Sequence, residues 1–210
     1  MSPAAFSLSD LPPWAFEKED PGRDGAFYAE ARLTTHIDDG AIAALTGFYR
    51  QALPAGGVIL DLMSSWVSHL PAEIAYAEVI GHGMNTEELA ANPRLSRHFL
   101  QDLNVDPVLP LETGSLDAAT ICVGVQYLQR PVEVFTDLAR VLKPGAPLVV
   151  SFSNRCFPTK AVAVWLRLND DGHATLVELY MQAAGFKDVE VHALSYGRMC
   201  DPMYAVVGRA

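Results

Sequence analysis

The chain is poor in positive charge and in cysteine. Lys and Arg number 15 against 25 Asp and Glu, a formal net charge of -10. That balance argues against the phosphate backbone of a nucleic acid as the main partner, because such binding needs clustered Lys and Arg. It equally disfavours an anionic membrane surface. The cysteines, Cys122, Cys156 and Cys200, are odd in number and widely spaced, with no CxxC pair. Neither a disulfide framework nor a zinc site is indicated. The six histidines are scattered, with no two at ligand spacing beside a carboxylate, so no metal is expected. No apolar run approaches the ~20 residues that span a bilayer. The opening "MSPAAFSLSD" has neither the basic nor the apolar region of a secretory signal. The reading is a soluble, cytoplasmic protein whose partner is a small molecule, with an oligomeric state that the sequence does not give.

What is present is an ordinary globular balance, half hydrophobic and 19% charged over 210 residues. One domain of that size buries roughly 70% of the surface its unfolded chain exposes and needs no staples. Residues 1–25 carry Pro3, Pro12, Pro13, Pro21, Gly22 and Gly25 with little periodicity, and read as a flexible arm or lid. Residues 26–210 read as a single domain. Apolar spacing predicts a helix over 37–53, with Asp38 and Asp39 suited to its first turn. Strands are expected at 58–63, 77–84, 118–125 and 146–153, helices at 86–92, 131–145 and 173–186, and a brief extended segment at 98–104. "KDVEVHAL" and "MYAVVGRA" close the chain as two strands.

Strands that alternate with helices and read as near-continuous apolar runs predict an α/β fold with a mostly parallel sheet covered on both faces. The last two strands are only about eight residues apart, too few for a parallel crossover of a dozen or more. They pair antiparallel or leave the sheet. A doubly wound, Rossmann-like sheet with an antiparallel C-terminal addition follows, and its ligands sit at the carboxyl ends of the strands.

"VILDLMSSWVSHLP" (58–71) is a strand entering a loop that contains no glycine. "VILDLMSS", "VIGHGMNTEEL", "FLQDLN", "LPLETGSLDAATICVGVQYL", "VFTDLARVLKPGAPLVVSF" and "MQAAGFKDVEV" occur in that order. Over residues of about 27 to 210 this series resembles the class I S-adenosylmethionine-dependent methyltransferases. The resemblance implies a seven-stranded sheet, S-adenosyl-L-methionine as cofactor, and methyl transfer to a small-molecule acceptor that it does not identify.

It also implies places for the cofactor. Asp61 stands where the family holds the methionine part, and is otherwise a turn-forming aspartate. The family's loop glycines are replaced by Met63, Ser65 and Val67, with Ser64 and Trp66 between them, so the loop has a different shape or holds its ligand at greater distance. The ribose acid that ends the family's second strand falls on Gly83, followed by Met84 and Asn85. Asn85 either substitutes for it or caps the next helix. Asp102 and Leu103 fit the adenine side, or an ordinary turn. Gly124 would admit a ligand, or is an incidental strand glycine. Only "VSHLPAEIAY" separates the loop from the second strand, so the helix there is expected to be one or two turns long.

In related enzymes the segment before the first core helix forms a lid over the reacting groups. Tyr28, Arg32 and His36 lie there at roughly helical spacing. His36 is a candidate general base, or a surface or capping residue. Arg32 is a candidate carboxylate clamp. Cys156 in "SFSNRCFPTK" reads as a small buried apolar residue, with Asn154 and Arg155 shaping a pocket. Against catalysis stands a second reading, a methyltransferase-like binding or scaffold protein that holds cofactor weakly or not at all, favoured by the missing glycines and the missing acid. A nicotinamide enzyme would want GxGxxG after the first strand, which is absent.

Overall fold

A computed structural model describes residues 7–197 and 199–210. Seven strands form one sheet: β1 Val58–Leu62, β2 Glu78–Gly83, β3 Arg97–Leu100, β4 Ala118–Cys122, β5 Pro147–Phe152, β6 Lys187–Ser195 and β7 Met203–Arg209. Their order is β3-β2-β1-β4-β5-β7-β6, with β1 to β5 parallel and β7 antiparallel to both its neighbours. The expected doubly wound sheet with an antiparallel C-terminal strand is present.

The helices are α1 Asp24–Phe27, α2 Asp39–Ala52, α3 Thr86–Ala91, α4 Pro131–Val141 and α5 Asp170–Ala183. On one face α2 buries Ala41, Leu45 and Tyr49 against Ile59, Val79, Ala118 and Val149. On the other, α4 and α5 bury Phe135, Leu138, Leu176 and Tyr180 with Leu60, Ile80, Ala119 and Val150. Neighbouring residues of one strand thus serve opposite cores, the period-2 rule of a sheet buried on both sides. Asp38 caps α2 by accepting from the Ala41 amide instead of lying inside its first turn. Asn169 does the same for α5 toward Gly172, which starts that helix at 170 and not 173.

Two expectations are corrected. No helix forms between β1 and β2; residues 65–77 run as irregular chain, with His69 at φ 53° ahead of Pro71. Strand β4 ends at Cys122, not 125, because Val123 turns the backbone to φ 49°. The described residues of the expected arm or lid form a strap that packs against the domain and continues to residue 36. Ala15 is fully buried, the Val164 amide donates to its carbonyl, and the Asp20 amide donates to Thr159 O. Buried charge fastens it: the Lys160 ammonium, 1% exposed, lies 3.4 Å from Asp24 Oδ1, and Lys18 lies 2.5 Å from Asp24 Oδ2. Proline and glycine gave this strap no periodicity, but its contacts come from the far end of the chain. The first six residues of the expected arm lie outside the described residues.

Candidate functional site

The strand order reverses between β1 and β4, where β2 lies to one side of β1 and β4 to the other. A cleft of about 370 Å³ opens at the carboxyl ends of these strands, in the size range of small-molecule sites. All the sequence candidates except Asn154 line it. The strap contributes Tyr28, Arg32 and His36, the first loop Asp61, Met63, Ser64 and Ser65, the end of β2 Gly83, Met84 and Asn85, and the far side Asp102, Leu103 and Gly124.

Asp61, 2% exposed, accepts from Ser64 Oγ at 2.6 Å and Thr120 Oγ1 at 3.2 Å. Neither partner is cationic. Burial therefore raises its pKa to about 6, against the lowering effect of those hydrogen bonds. The glycine-free loop is held by His82 of β2. Its Nδ1 accepts the Met63 amide at 3.1 Å, its carbonyl accepts the Ser64 amide at 2.6 Å, and Nε2 faces Gln101 O at 3.0 Å. These partners require the neutral tautomer protonated at Nε2. Burial lowers its pKa to about 4.

Met63 itself adopts φ 58°, the conformation that glycine would take without strain. Its side chain occupies the space in front of Gly124: a Cβ there would stand 2.9 Å from Met63 Cβ. A Cβ on Gly83 would stand 2.7 Å from Ser64 O. Both glycines therefore make room for the loop. Met63, His69 and Val123, three non-glycine residues at positive φ, all line the cleft. Strain of this kind costs about 1–3 kcal/mol per residue and gathers at functional sites.

Asn85 caps α3, its Oδ1 accepting from the Glu88 amide while its Nδ2 donates to Tyr28 O at 2.9 Å. Asp102 makes a turn in which Oδ1 accepts from the Asn104 amide at 3.0 Å. Asn104 Nδ2 in turn donates to Asp24 Oδ2 at 2.9 Å, tying that turn to the strap. Trp66 joins the first loop to the strap, donating from Nε1 to Thr34 O at 3.0 Å. His36 sits exposed at the mouth with its ring 5.3 Å from that of Phe157, and the desolvation of its inner face lowers its pKa. Burial raises that of Tyr28. Cys156 is half-buried and lines the cleft; it does not fill the core.

Sequence reasoning missed Glu88, His69, His82 and Asn92. Glu88 in "NTEEL" occupies the third helical position after Asn85 and reads as a capping-box residue. Its carboxylate instead lines the cleft, with Oε1 accepting the Arg32 amide and Oε2 accepting Ser65 Oγ, each at 2.7 Å. Asn92 bonds Ser65 O and Ser68 Oγ from below. His69, half-buried, has its pKa lowered to about 4 by burial and by His36. The "GHG" in an apolar strand was the available signal for His82.

Residues 64–150 match the family described as a methyltransferase domain. The solved S-adenosylmethionine-dependent methyltransferase of Mesorhizobium loti superposes with a TM-score of 0.57 at 18% identity, over 80% of this chain and 98% of that one. This chain has the class I methyltransferase fold. Haemonchus contortus phosphoethanolamine N-methyltransferase 2, solved with S-adenosyl-L-methionine, aligns with a TM-score of 0.56 at 14% identity over 80% of this chain and 51% of that one. The [4+2]-cyclase SpnF aligns with a TM-score of 0.60 at 16% identity, over 85% and 88%. At these identities the similarity speaks for the methyltransferase fold and not for one reaction. No curated protein matches the chain. No helix among the described residues is long and apolar enough to cross a membrane.

Proposed function

We propose that this chain binds S-adenosyl-L-methionine in the cleft and transfers its methyl group to a small-molecule acceptor. Asp61 is the observation that carries this reading. A carboxylate buried at a strand end, facing a cleft, without a cationic partner is a site prepared for a cation. The cofactor supplies an activated methyl group on a positively charged sulfur. A protein that only kept the shape of the fold gains nothing from holding such a group.

Around Asp61 each residue has a defined task in this reading. Asp102 accepts from the adenine amino group through the oxygen that its own turn leaves over, and the neighbouring Leu103 amide faces the ring. Glu88 and Asn85 stand beside the ribose, in place of the acid that Gly83 lacks. Ser64 and Thr120 orient the Asp61 carboxylate. The strap closes over the cleft and excludes water, leaving the acceptor to be aligned with the methyl carbon by Tyr28, Arg32 and His36. His36, held neutral by its lowered pKa, can take a proton from the acceptor at its free ring nitrogen.

One observation favours the second reading, a binding protein with weak cofactor affinity: His82 already engages the Met63 and Ser64 amides, so the first loop offers fewer donors to a ligand. Calorimetric titration of S-adenosylmethionine and S-adenosylhomocysteine, with Asp102→Ala as control, decides between them. Micromolar binding that the substitution weakens at least tenfold supports methyl transfer. A folded protein that binds neither at millimolar concentration supports the scaffold.

A further inference from the structure

Two arginines line the cleft, Arg32 and Arg155. Asp61 and Glu88 lie along the first loop and α3, while Arg32, His36 and Arg155 stand with Phe157 on the strap side.

Arg32 is held closely but incompletely. Its amide donates to Glu88, its Nη2 donates to Phe27 O at 3.0 Å, and its guanidinium carbon lies 4.6 Å from the Phe27 ring centre and 5.5 Å from that of Phe157. Its Nη1 is buried with no hydrogen-bond partner. Five buried side-chain polar atoms are in this state among the described residues, and only this one belongs to a residue of the cleft. Aromatic faces attract the charge of a guanidinium, but they do not replace an oxygen acceptor for its N–H. A buried donor without a partner, beside a ligand cleft, marks where a ligand atom is expected. The other arginine of the cleft, Arg155, already engages Asp201 through Nε at 2.9 Å and Nη2 at 2.8 Å. Its charge is thus already paired, which leaves the anchoring to Arg32.

We infer that Arg32 receives the carboxylate of the methyl acceptor and that the acceptor is an aromatic organic acid. The inference rests on the methyl-transfer reading above. The guanidinium fork matches a carboxylate, and the Phe157 and Tyr28 side chains that line the cleft beside it give an aromatic body apolar surface to pack on. One other carboxylate could reach the site, that of the cofactor's own methionine part.

The test is titration of benzoate, benzyl alcohol and benzylamine into the protein saturated with S-adenosylhomocysteine. Benzoate is expected to bind at least tenfold more tightly than either neutral or cationic analogue. Arg32→Met abolishes that preference while S-adenosylhomocysteine affinity stays within about twofold, and Arg32→Lys keeps part of it. Equal binding of the three probes overturns the inference. So does an Arg32→Met protein that weakens S-adenosylhomocysteine but not 5′-methylthioadenosine, which lacks the carboxylate, since the anion at Arg32 is then the cofactor's. If Arg32→Met does not fold, the preference of the wild-type protein and its partial retention in Arg32→Lys decide. If the wild-type protein binds no S-adenosylhomocysteine, the methyl-transfer reading fails by itself. Benzoate binding to the free protein that Arg32→Lys weakens then upholds the anion site, and its absence overturns it.

Discussion

His82 Nδ1 accepts the backbone amide of Met63 at 3.1 Å, so one buried imidazole replaces the glycine-rich turn as the device that shapes the first loop. The bond exists only while the ring is neutral. The folded-state pKa of about 4 lies below the unfolded value of about 6.5. Stability from this group is therefore complete above pH 6.5 and is lost as pH falls toward 4, by roughly 3 kcal/mol in full. In thermal melts from pH 4.5 to 7.5, His82→Asn, which keeps an acceptor near the Met63 amide, is expected to lose this acid sensitivity. A variant that melts with the same pH slope as the wild type refutes the assignment.

Asp61 acts in the opposite direction. Its folded pKa of about 6 exceeds the unfolded value of about 3.9, so the folded state holds the proton more tightly. Its contribution falls as pH rises from 4 to 6, again by roughly 3 kcal/mol. Asp61 thus opposes His82 in this window, while the half-buried His69, whose pKa burial also lowers to about 4, acts in the same direction as His82. Asp61→Asn should melt higher than the wild type at pH 7.5 and lose stability more steeply than the wild type as pH falls. The same variant should bind S-adenosylmethionine at least tenfold more weakly. Unchanged affinity would remove Asp61 from the cation site and leave it a turn residue.

These two residues show what the sequence disclosed and what it hid. Asp61 was legible because it ends an apolar strand, a position that topology alone sends to the cleft. The sheet was legible for the same reason: Ile59 and Leu60 announce two cores by alternating. His82 was hidden because its role depends on a loop nineteen residues earlier in the chain. Glu88 was hidden by a local explanation, helix capping, which Asn85 alone fulfils. The strap was hidden most completely. Asp24 reads as one acid among 25, and only the fold brings Lys160 to it. Local periodicity reports elements; pairings across the chain leave no periodic trace.

The packing of Met63 against Gly124 makes a second pair testable. Gly124→Ala would put a methyl group 2.9 Å from Met63 Cβ and 3.1 Å from its sulfur, an overpacking that costs about 1–3 kcal/mol. Met63→Gly removes the obstacle and relieves φ 58°, so the double variant should recover most of the loss. Gly83→Ala meets backbone, Ser64 O at 2.7 Å, and Met63→Gly should not rescue it. Chemical denaturation of the three single variants and the two doubles measures the coupling. Additive losses in the Met63–Gly124 pair would show that the loop yields instead of the side chain.

The strap supplies the last prediction. Lys160 donates to Gly22 O at 2.8 Å and pairs with Asp20 at 3.0 Å, while Asp24 also accepts from Lys18 and Asn104. Lys160→Met keeps the length of the side chain and removes its charge, so Asp24 stays buried with one cation instead of two. Breaking a buried pair from one side costs on the order of 3 kcal/mol, and here the cost falls first on the element that can leave without unfolding the sheet. Hydrogen exchange should therefore accelerate over residues 15–32 while β1, β4 and β5 keep their protection. Asn104 links the strap to the Asp102 turn, so cofactor affinity should fall with it. Adding S-adenosylhomocysteine should restore protection to the strap in the variant, since a ligand that binds only the closed cleft pulls the strap back by mass action. Uniform loss of protection across the sheet would show instead that the strap and the sheet unfold as one unit.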